Sequence, residues 1–456
     1  MMKHKTSVVA AVIAAMTLLS ACTTYEAKPL DAASARRAFL ARTVDEPSFA
    51  LDGFQASDGL SLREAEVIAL VFNRELRAAR LEAGVTRATA DNAGLWTDPT
   101  LGVDLSQVIG GVSGGVEALA SFALTLPLSG RLELERATAS AEHRAELARV
   151  ARDEWRVVAQ VRRLWIRGVA LTADLSAARE HLERVGQVLT IVEHMEVAGE
   201  LPRIEARLLH IERAKLEVAL AARGAEIRRV SQEMEALLGL APRSEGSIEA
   251  DFRSGFACAE GFAKDDDASL LARAESANPS LLLAYAQYEV AEQRLALEIR
   301  AQWPDLFLAP GFGEQDGDRQ AVLGVGVTLP IFSGNRQGIA EADAARETAR
   351  GQTEAELERV LGELTAAQSR RAAARAQRGM IETTLLPLVS TQYAESKEVA
   401  RLGEVDTLLL LESMKQQDEA RRLLTAACRD DALAGIDLEE LAGPVTPARR
   451  AEGTTP

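Results

Sequence analysis

Cysteine is scarce in this chain: three in 456 residues, with no two in a CxxC pair. That excludes a dense disulfide framework, a zinc ribbon and a thioredoxin-like redox motif, and it leaves Cys258 and Cys428 reading as bystanders. Aromatic residues make up only 4% of the chain, too few for an aromatic-rich β-sandwich. The 14 prolines gather in a few places instead of punctuating the chain evenly. Beyond the N-terminus no run reaches the ~18 uncharged apolar residues of a membrane-spanning helix, which rules out a multi-pass helical transporter. Cationic residues are outnumbered 52 to 68, for a net charge of −16. A nucleic-acid partner is therefore not expected.

What the chain does have is an apolar content of 47%, drawn mainly from Ala, Leu and Val. Those are the residues of long, closely packed helices. At the N-terminus, Lys3, His4 and Lys5 precede an apolar run from Val8 to Ala21. A charged segment followed by a short apolar one is the pattern of a signal peptide, too short for a comfortable span. The run ends Leu19-Ser20-Ala21-Cys22, which resembles a bacterial lipobox. The resemblance makes Cys22 the lipid-bearing (palmitate) N-terminus after cleavage, and Thr23 after it favours outer-membrane sorting.

The remainder is a tandem duplication. Trp96-Thr97-Asp98-Pro99, a strand-like stretch and Leu124-Thr125-Leu126-Pro127-Leu128-Ser129-Gly130 recur as Trp303-Pro304-Asp305, a strand-like stretch and Val327-Thr328-Leu329-Pro330-Ile331-Phe332-Ser333-Gly334. Each Ser-Gly opens an Ala-rich, charged run that ends about 69 residues later at Gly199 or Gly403. In the first run Leu134, Ala137, Ala141, Ala145, Ala148, Ala151, Trp155 and Val158 follow gaps of three and four. This is helical spacing, and a helix that long makes a rod of about 100 Å. Shorter helices are predicted for Ser61–Leu95 and Ala268–Gln302 before the strands, and for Arg203–Gly239 and Asp406–Gly443 after the turns. The expected division is residues 1–21 signal, 22–58 lipidated extension, 59–240 first repeat, 241–267 irregular equatorial linker, 268–443 second repeat and 444–456 tail.

Four segments alternate at period two. Leu101, Val103 and Leu105 share a face, as do Phe122, Leu124 and Leu126; Leu306, Leu308 and Phe312; and Leu323, Val325, Val327 and Leu329. The opposite positions are small or polar, with Thr328 among them. A half-buried soluble sheet alternates in the same way. The exported context and the lack of helices to cover such a sheet favour membrane strands, with lipid on one side and water on the other. Four strands cannot close a water-filled barrel, so strands that insert must oligomerise. Ile109–Gly115 and Glu314–Gln320 would then be the loops at the outer rim.

With Cys22, Asp91–Pro99, both Leu-Pro…Ser-Gly junctions and both Gly turns in order, the chain resembles the TolC-type outer-membrane efflux factor family, as a lipoprotein member. The resemblance implies a mainly α fold: long helical coiled-coil hairpins in tandem repeat, plus four transmembrane β-strands per chain. A homotrimer would share one β-barrel and continue as an α-helical periplasmic tunnel. It further implies a passive exit duct in the outer membrane, in contact with outer-membrane lipid. Its partners would be a periplasmic adaptor (membrane fusion) protein and a proton-driven inner-membrane pump. The alternatives are a lipid-anchored periplasmic adaptor and a coiled-coil envelope scaffold without a pore.

No catalytic constellation, cofactor loop or metal-ligand spacing emerges. His143, His181, His194 and His210 each stand alone on helices among Arg and Glu, so the chain reads as a non-enzyme with no cofactor and no metal. The turns Ala198-Gly199-Glu200-Leu201 and Leu402-Gly403-Glu404-Val405 read as helix reversals, and the resemblance makes them adaptor-docking tips. By the same resemblance Glu412, and Glu205 in the first half, are candidate acidic residues at the pore entrance. Leu409 and Val405 depart from the family's charged pattern there.

Overall fold

The computed structural model describes residues 25–42, 60–107, 116–241, 266–315, 318–401 and 406–445. Cys22, Cys258, the second turn at 402–405, the rim segment 108–115 and most of the equatorial linker lie outside the described residues. The chain divides into two units, residues 1–43 and 44–456. In the first, helix α1 (Ala32–Leu40) is capped by Asp31, whose carboxylate accepts the Ala33 N–H at 2.9 Å.

The second unit begins with α2 (Leu62–Phe72) and α3 (Arg74–Asp91). Ser61 and Glu64 form a reciprocal capping box, the Ser61 N–H donating to Glu64 Oε2 at 2.8 Å. The sequence suggests one helix here, but the structure breaks it at Asn73. The Asn73 carboxamide oxygen accepts the Glu75 and Leu76 N–H groups, and its NH₂ donates to the Leu237 carbonyl at 2.8 Å. The break starts a new helix and fastens it to the end of a distant one.

Strands β1 (Thr100–Gln107) and β2 (Val116–Leu126) follow, then the 68-residue α4 (Arg131–Ala198) and its return α5 (Arg203–Leu238). The second repeat reproduces the order: α6 (Asp267–Ala277), α7 (Pro279–Arg300), β3 (Leu306–Gln315), β4 (Asp318–Val327) and α8 (Arg336–Met380). Asn278 repeats the part of Asn73, capping α7 and donating to the Leu441 carbonyl at 2.7 Å. The second rod differs from the first. A π-helical turn, Ile381–Leu385, interrupts it before α9 (Leu386–Arg401) and α10 (Thr407–Ala442). Pro387, one residue into α9, has no N–H for the carbonyl four residues back, and a one-residue widening relieves the mismatch.

Across the helical layer α4 is central. Near the strands it packs between α3 and α7, with α8 beyond; nearer the tip it packs between α5 and α10, with α8 and α9 beyond. Neighbours on several sides make its buried face broad. Ala151, expected on the seam, is exposed, whereas Val157, Val161, Trp165 and Val169 are buried against Ile68 and Leu76 of the α2–α3 pair and Met234 and Leu238 of α5. Leu270, Val360, Leu364 and Leu438 form the matching cluster of the second repeat. Between the two lies a charged tie. Arg162 pairs with Glu66 and Glu439, each at 2.6 Å, Arg163 pairs with Asp437 and Glu440, and Trp155 Nε1 donates to the Glu440 carbonyl. Cys428 on α10 is disulfide-bonded, which corrects its reading as a bystander.

Two left-handed helix ends with similar backbone angles differ in their surroundings. At Gly199 (φ +78°) an added Cβ meets nothing within 4 Å. At Gly239 (φ +71°) it would stand 2.2 Å from the Phe72 carbonyl oxygen, and Gly443 faces Ala277 in the same way. Gly199→Ala should therefore cost only the left-handed backbone penalty of about 1–2 kcal/mol. Gly239→Ala should add a further ~1–3 kcal/mol of overpacking. Chemical denaturation of the two variants side by side measures the difference.

Candidate functional site

The four strands form one antiparallel sheet in the order β1-β2-β3-β4. Its register sorts the side chains into two faces. Leu101 lies opposite Phe122, Leu124 opposite Leu308, and Leu308 opposite Val325, so the four apolar stripes fall on one face. Most of that face is open: Leu101 is 78% exposed, and Val103, Phe312, Leu323 and Val325 are exposed as well. The other face carries Gly102, Asp104, Ser121, Gly311, Gly324 and Gly326. It is less uniformly small or polar than expected, because Leu119, Phe307 and Val322 also lie on it; Phe307 sits across from Gly326. Pro310 cannot donate to the ladder, and the β2–β3 pairing skips its position before resuming at Leu124–Leu308. The second hairpin is tighter than the expected Glu314–Gln320 loop, since β3 runs to Gln315 and β4 starts at Asp318. Thr328 falls just past the end of β4.

Neither β1 nor β4 has a second strand partner among the described residues. The helical layer has matching free margins. The exposed Leu81 and Val85 of α3 and Ile204, Leu208, Ile211 and Val218 of α5 mark one margin, and α8 and α9 form the other. The α5 positions recur at gaps of three, four and seven, the spacing of a coiled-coil seam.

At the far end of the rods, α4 closes with a hydrogen-bonded reversal. The Glu200 N–H donates to the Met195 carbonyl at 2.9 Å and the Gly199 N–H to the Glu196 carbonyl at 3.0 Å, satisfying two of the carbonyls a helix end leaves free. Ala198, Gly199 and Glu200 are exposed. Leu201 turns inward onto a cluster made by Val185, Leu189, Leu209, Leu410, Leu411 and Met414. The first tip and the start of α10 are thus one packed unit. Glu205 lies half-buried in the first turn of α5, and Glu412 is exposed on α10, accepting from Gln416 at 3.1 Å. Exposed Leu408 and Leu409 stand one turn before Glu412.

Above that cluster the α4–α5–α10 contact turns polar. A groove of about 850 Å³ opens there, lined by Asp174, His181, Glu212, Lys415, Asp418 and Arg422 among others. Lys415 bridges to Glu212 at 2.8 Å and Arg422 approaches Asp174 at 3.6 Å. His181 is 1% exposed, yet among the described residues its Nδ1 has no hydrogen-bond partner, and neither does Asp418 Oδ1. This polar layer went unread in the sequence, although Asp418 continues the Leu411, Met414 spacing and so sits in a core phase. The other histidines have ordinary local roles: His143 meets Thr86 at 3.0 Å, His194 the Thr190 carbonyl, and His210 meets Glu193.

Solved structures match this architecture over most of its length. CusC, in a study of folding and transmembrane channel formation, aligns with a TM-score of 0.68 at 18% identity, covering 84% of this chain and 92% of its own. The outer membrane protein VceC of Vibrio cholerae gives 0.68 at 16%, covering 84% and 96%. The CmeC outer membrane channel of Campylobacter jejuni gives 0.67 at 14%, covering 92% and 93%. No family model matches the chain, and no curated protein matches it in sequence. At these identities the likeness is one of fold: long helical hairpins in tandem with a small four-stranded sheet.

The groove makes a pH prediction. Burial pushes the His181 pKa below the ordinary histidine value, with Arg184 and Lys415 acting in the same direction against Asp418 and Glu212. A folded-state pKa below the unfolded one means that the unfolded chain binds more protons as pH falls through about 6.5. Stability should therefore drop in mild acid. Melting curves of the wild type and His181→Leu at about pH 7.5 and pH 5.5 test this. The acid loss should shrink in the variant.

Proposed function

We propose that the chain is the outer-membrane exit duct of a tripartite export system, built from three copies. The observation that carries this reading is the sheet, with one face exposed and apolar, both edges unpaired among the described residues, and a helical layer of about 100 Å attached. Lipid outside and water inside account for the two faces; three copies supply about twelve strands, an even number suited to a closed antiparallel barrel. Conduction is passive, the driving energy being supplied by the inner-membrane pump. A periplasmic adaptor and a proton-driven inner-membrane pump deliver cargo at the helical tips, and lipid on Cys22 anchors each copy to the outer membrane.

In this reading the exposed turn at Ala198, Gly199, Glu200 and Leu201 docks the adaptor, together with its repeat at Leu402, Gly403, Glu404 and Val405. Glu205 and Glu412 stand at the entrance as carboxylates that favour cations over anions. The likeness to CusC, VceC and CmeC supports the architecture that this function requires.

Adjacent residues on opposite faces of β4 test the barrel. Leu323→Arg places a charge against hydrocarbon and should cost ~2–4 kcal/mol of membrane assembly. Val322→Arg, one residue away on the water face, should assemble normally. Trimer yield on mild gels and single-channel conductance in planar bilayers report the outcome; equal loss from both variants would mean the faces are misassigned. The tip has its own test. Gly199→Val forces a β-branched residue into left-handed geometry far from the sheet, so trimers should insert and conduct while adaptor cross-linking and export fail.

A further inference from the structure

Cys428, in the second half of α10, is disulfide-bonded and 3% exposed. The chain holds two other cysteines, Cys22 and Cys258, and one of them supplies the second sulfur. The lipid anchor decides between them. A lipidated Cys22 carries lipid on its sulfur as a thioether, which has no S–H to oxidise. Cys258 remains, in the linker between the repeats and outside the described residues.

The far end of that linker is held close to α10. It runs into Asp266, the cap of α6, and Leu270 and Ala274 of α6 cluster with Leu438 and Ala442 of α10. Cys428 lies ten residues from Leu438, about 15 Å along the helix. Twelve residues separate Cys258 from Leu270, a reach of up to about 40 Å when extended. The bond is well within range.

The surface beside Cys428 suits an acidic segment. Asp431, one turn further along α10 and buried, accepts Arg371 Nε and Arg375 Nε at 3.2 Å each and Arg378 Nη1 at 3.4 Å. Arg378 also approaches Glu382 at 3.8 Å. Among the described residues, three guanidiniums face two carboxylates, and the Arg375 side chain is 52% exposed. The linker has the complementary charge: Glu249, Asp251 and Glu260 flank Cys258, against Arg253 and Lys264.

We propose that Cys258 and Cys428 form a disulfide that fastens the linker to α10, with the acidic stretch around Cys258 seated on the arginine cluster at Asp431. This rests on the lipid anchor at Cys22 and on the export that goes with it. Two thiols must give up two electrons and two protons, and the acceptor is the disulfide of a periplasmic thiol oxidase. One cysteine thiolate attacks that disulfide, the other displaces the enzyme from the mixed disulfide, and the oxidase leaves as a dithiol. The linker is then held within its length as well as at both ends.

Tryptic digestion of the full-length protein from outer-membrane preparations, alkylated without reduction, tests the pairing. Ser254–Lys264 and Leu423–Arg429 should appear in mass spectra as one disulfide-linked species and separate on reduction. In Cys258→Ser, Leu423–Arg429 should carry the alkyl group without reduction. A free Cys428 thiol in the wild type, or two Leu423–Arg429 peptides joined to each other, overturns the proposal and leaves the lipid on Cys22 untouched. A link from Leu423–Arg429 to the peptide containing Cys22 overturns the proposal and the lipid anchor together. The seat has its own readout. After reduction and reoxidation by glutathione disulfide, Arg375→Glu should re-form the bond severalfold more slowly than the wild type, at unchanged trimer yield. Equal rates overturn the seat on the arginines.

Discussion

Along the outer margins of β1 and β4, backbone N–H and C=O groups have no ladder partner among the described residues. In water this is tolerable, but in hydrocarbon each such group costs several kcal/mol. The apolar face of the same sheet pulls in the opposite direction, because a broad exposed run of Leu, Val and Phe is costly in water. Neither solvent suits the lone chain. A sheet closed by further copies, as in the proposed trimer, satisfies both demands. The helical layer repeats the same incompleteness, with coiled-coil spacing on its free α5 margin.

The interior of one chain is built differently from its margins. Arg162, Arg163, Glu66, Asp437, Glu439 and Glu440 tie the first repeat to the second across the middle of the rods. Partly buried ion pairs add little net stability, because desolvation offsets most of the attraction, but removing one partner is costly. They fix which helix lies beside which along a long and otherwise slippery Ala-rich surface. Asn73 and Asn278 serve the same end by a different route. Each starts a helix and holds the terminus of another, using both halves of one carboxamide.

Much of this was legible from the residues. The repeat follows from the Trp-x-Asp and Pro…Ser-Gly spacings, the strand faces follow from parity, and Gly199 follows from the end of a long periodic run. The breaks at Asn73 and Asn278 were missed because the apolar periodicity continues through them. The only local signal was Asn-Pro at 278–279, where Pro suits a first helical position. The π-turn had a signal in Pro387, but its response, a widened turn instead of a stop, depends on the helices packed alongside. The His181–Asp418 layer required knowing which helices face each other, which periodicity cannot supply. Leu119 and Phe307 on the small-residue face show the limit of reading alternation as a lumen.

Where the repeats differ, they differ in a consistent direction. Counted from the two tip glycines, Arg162 corresponds to the exposed Ala366, His181 to the half-buried Leu385, and Asp418 to the exposed Ala214. At these three positions the seam inside a chain is thus charged or polar where the corresponding seam between copies would be small and apolar. A charged seam selects its partner strongly but must desolvate to form. Within one chain the linker keeps the two repeats at high effective concentration, so that cost is borne once. Between copies, association has no such help, and smooth Ala and Leu surfaces bury area without a desolvation penalty. Specificity at that seam then falls largely to the strand ladder, whose hydrogen bonds are directional.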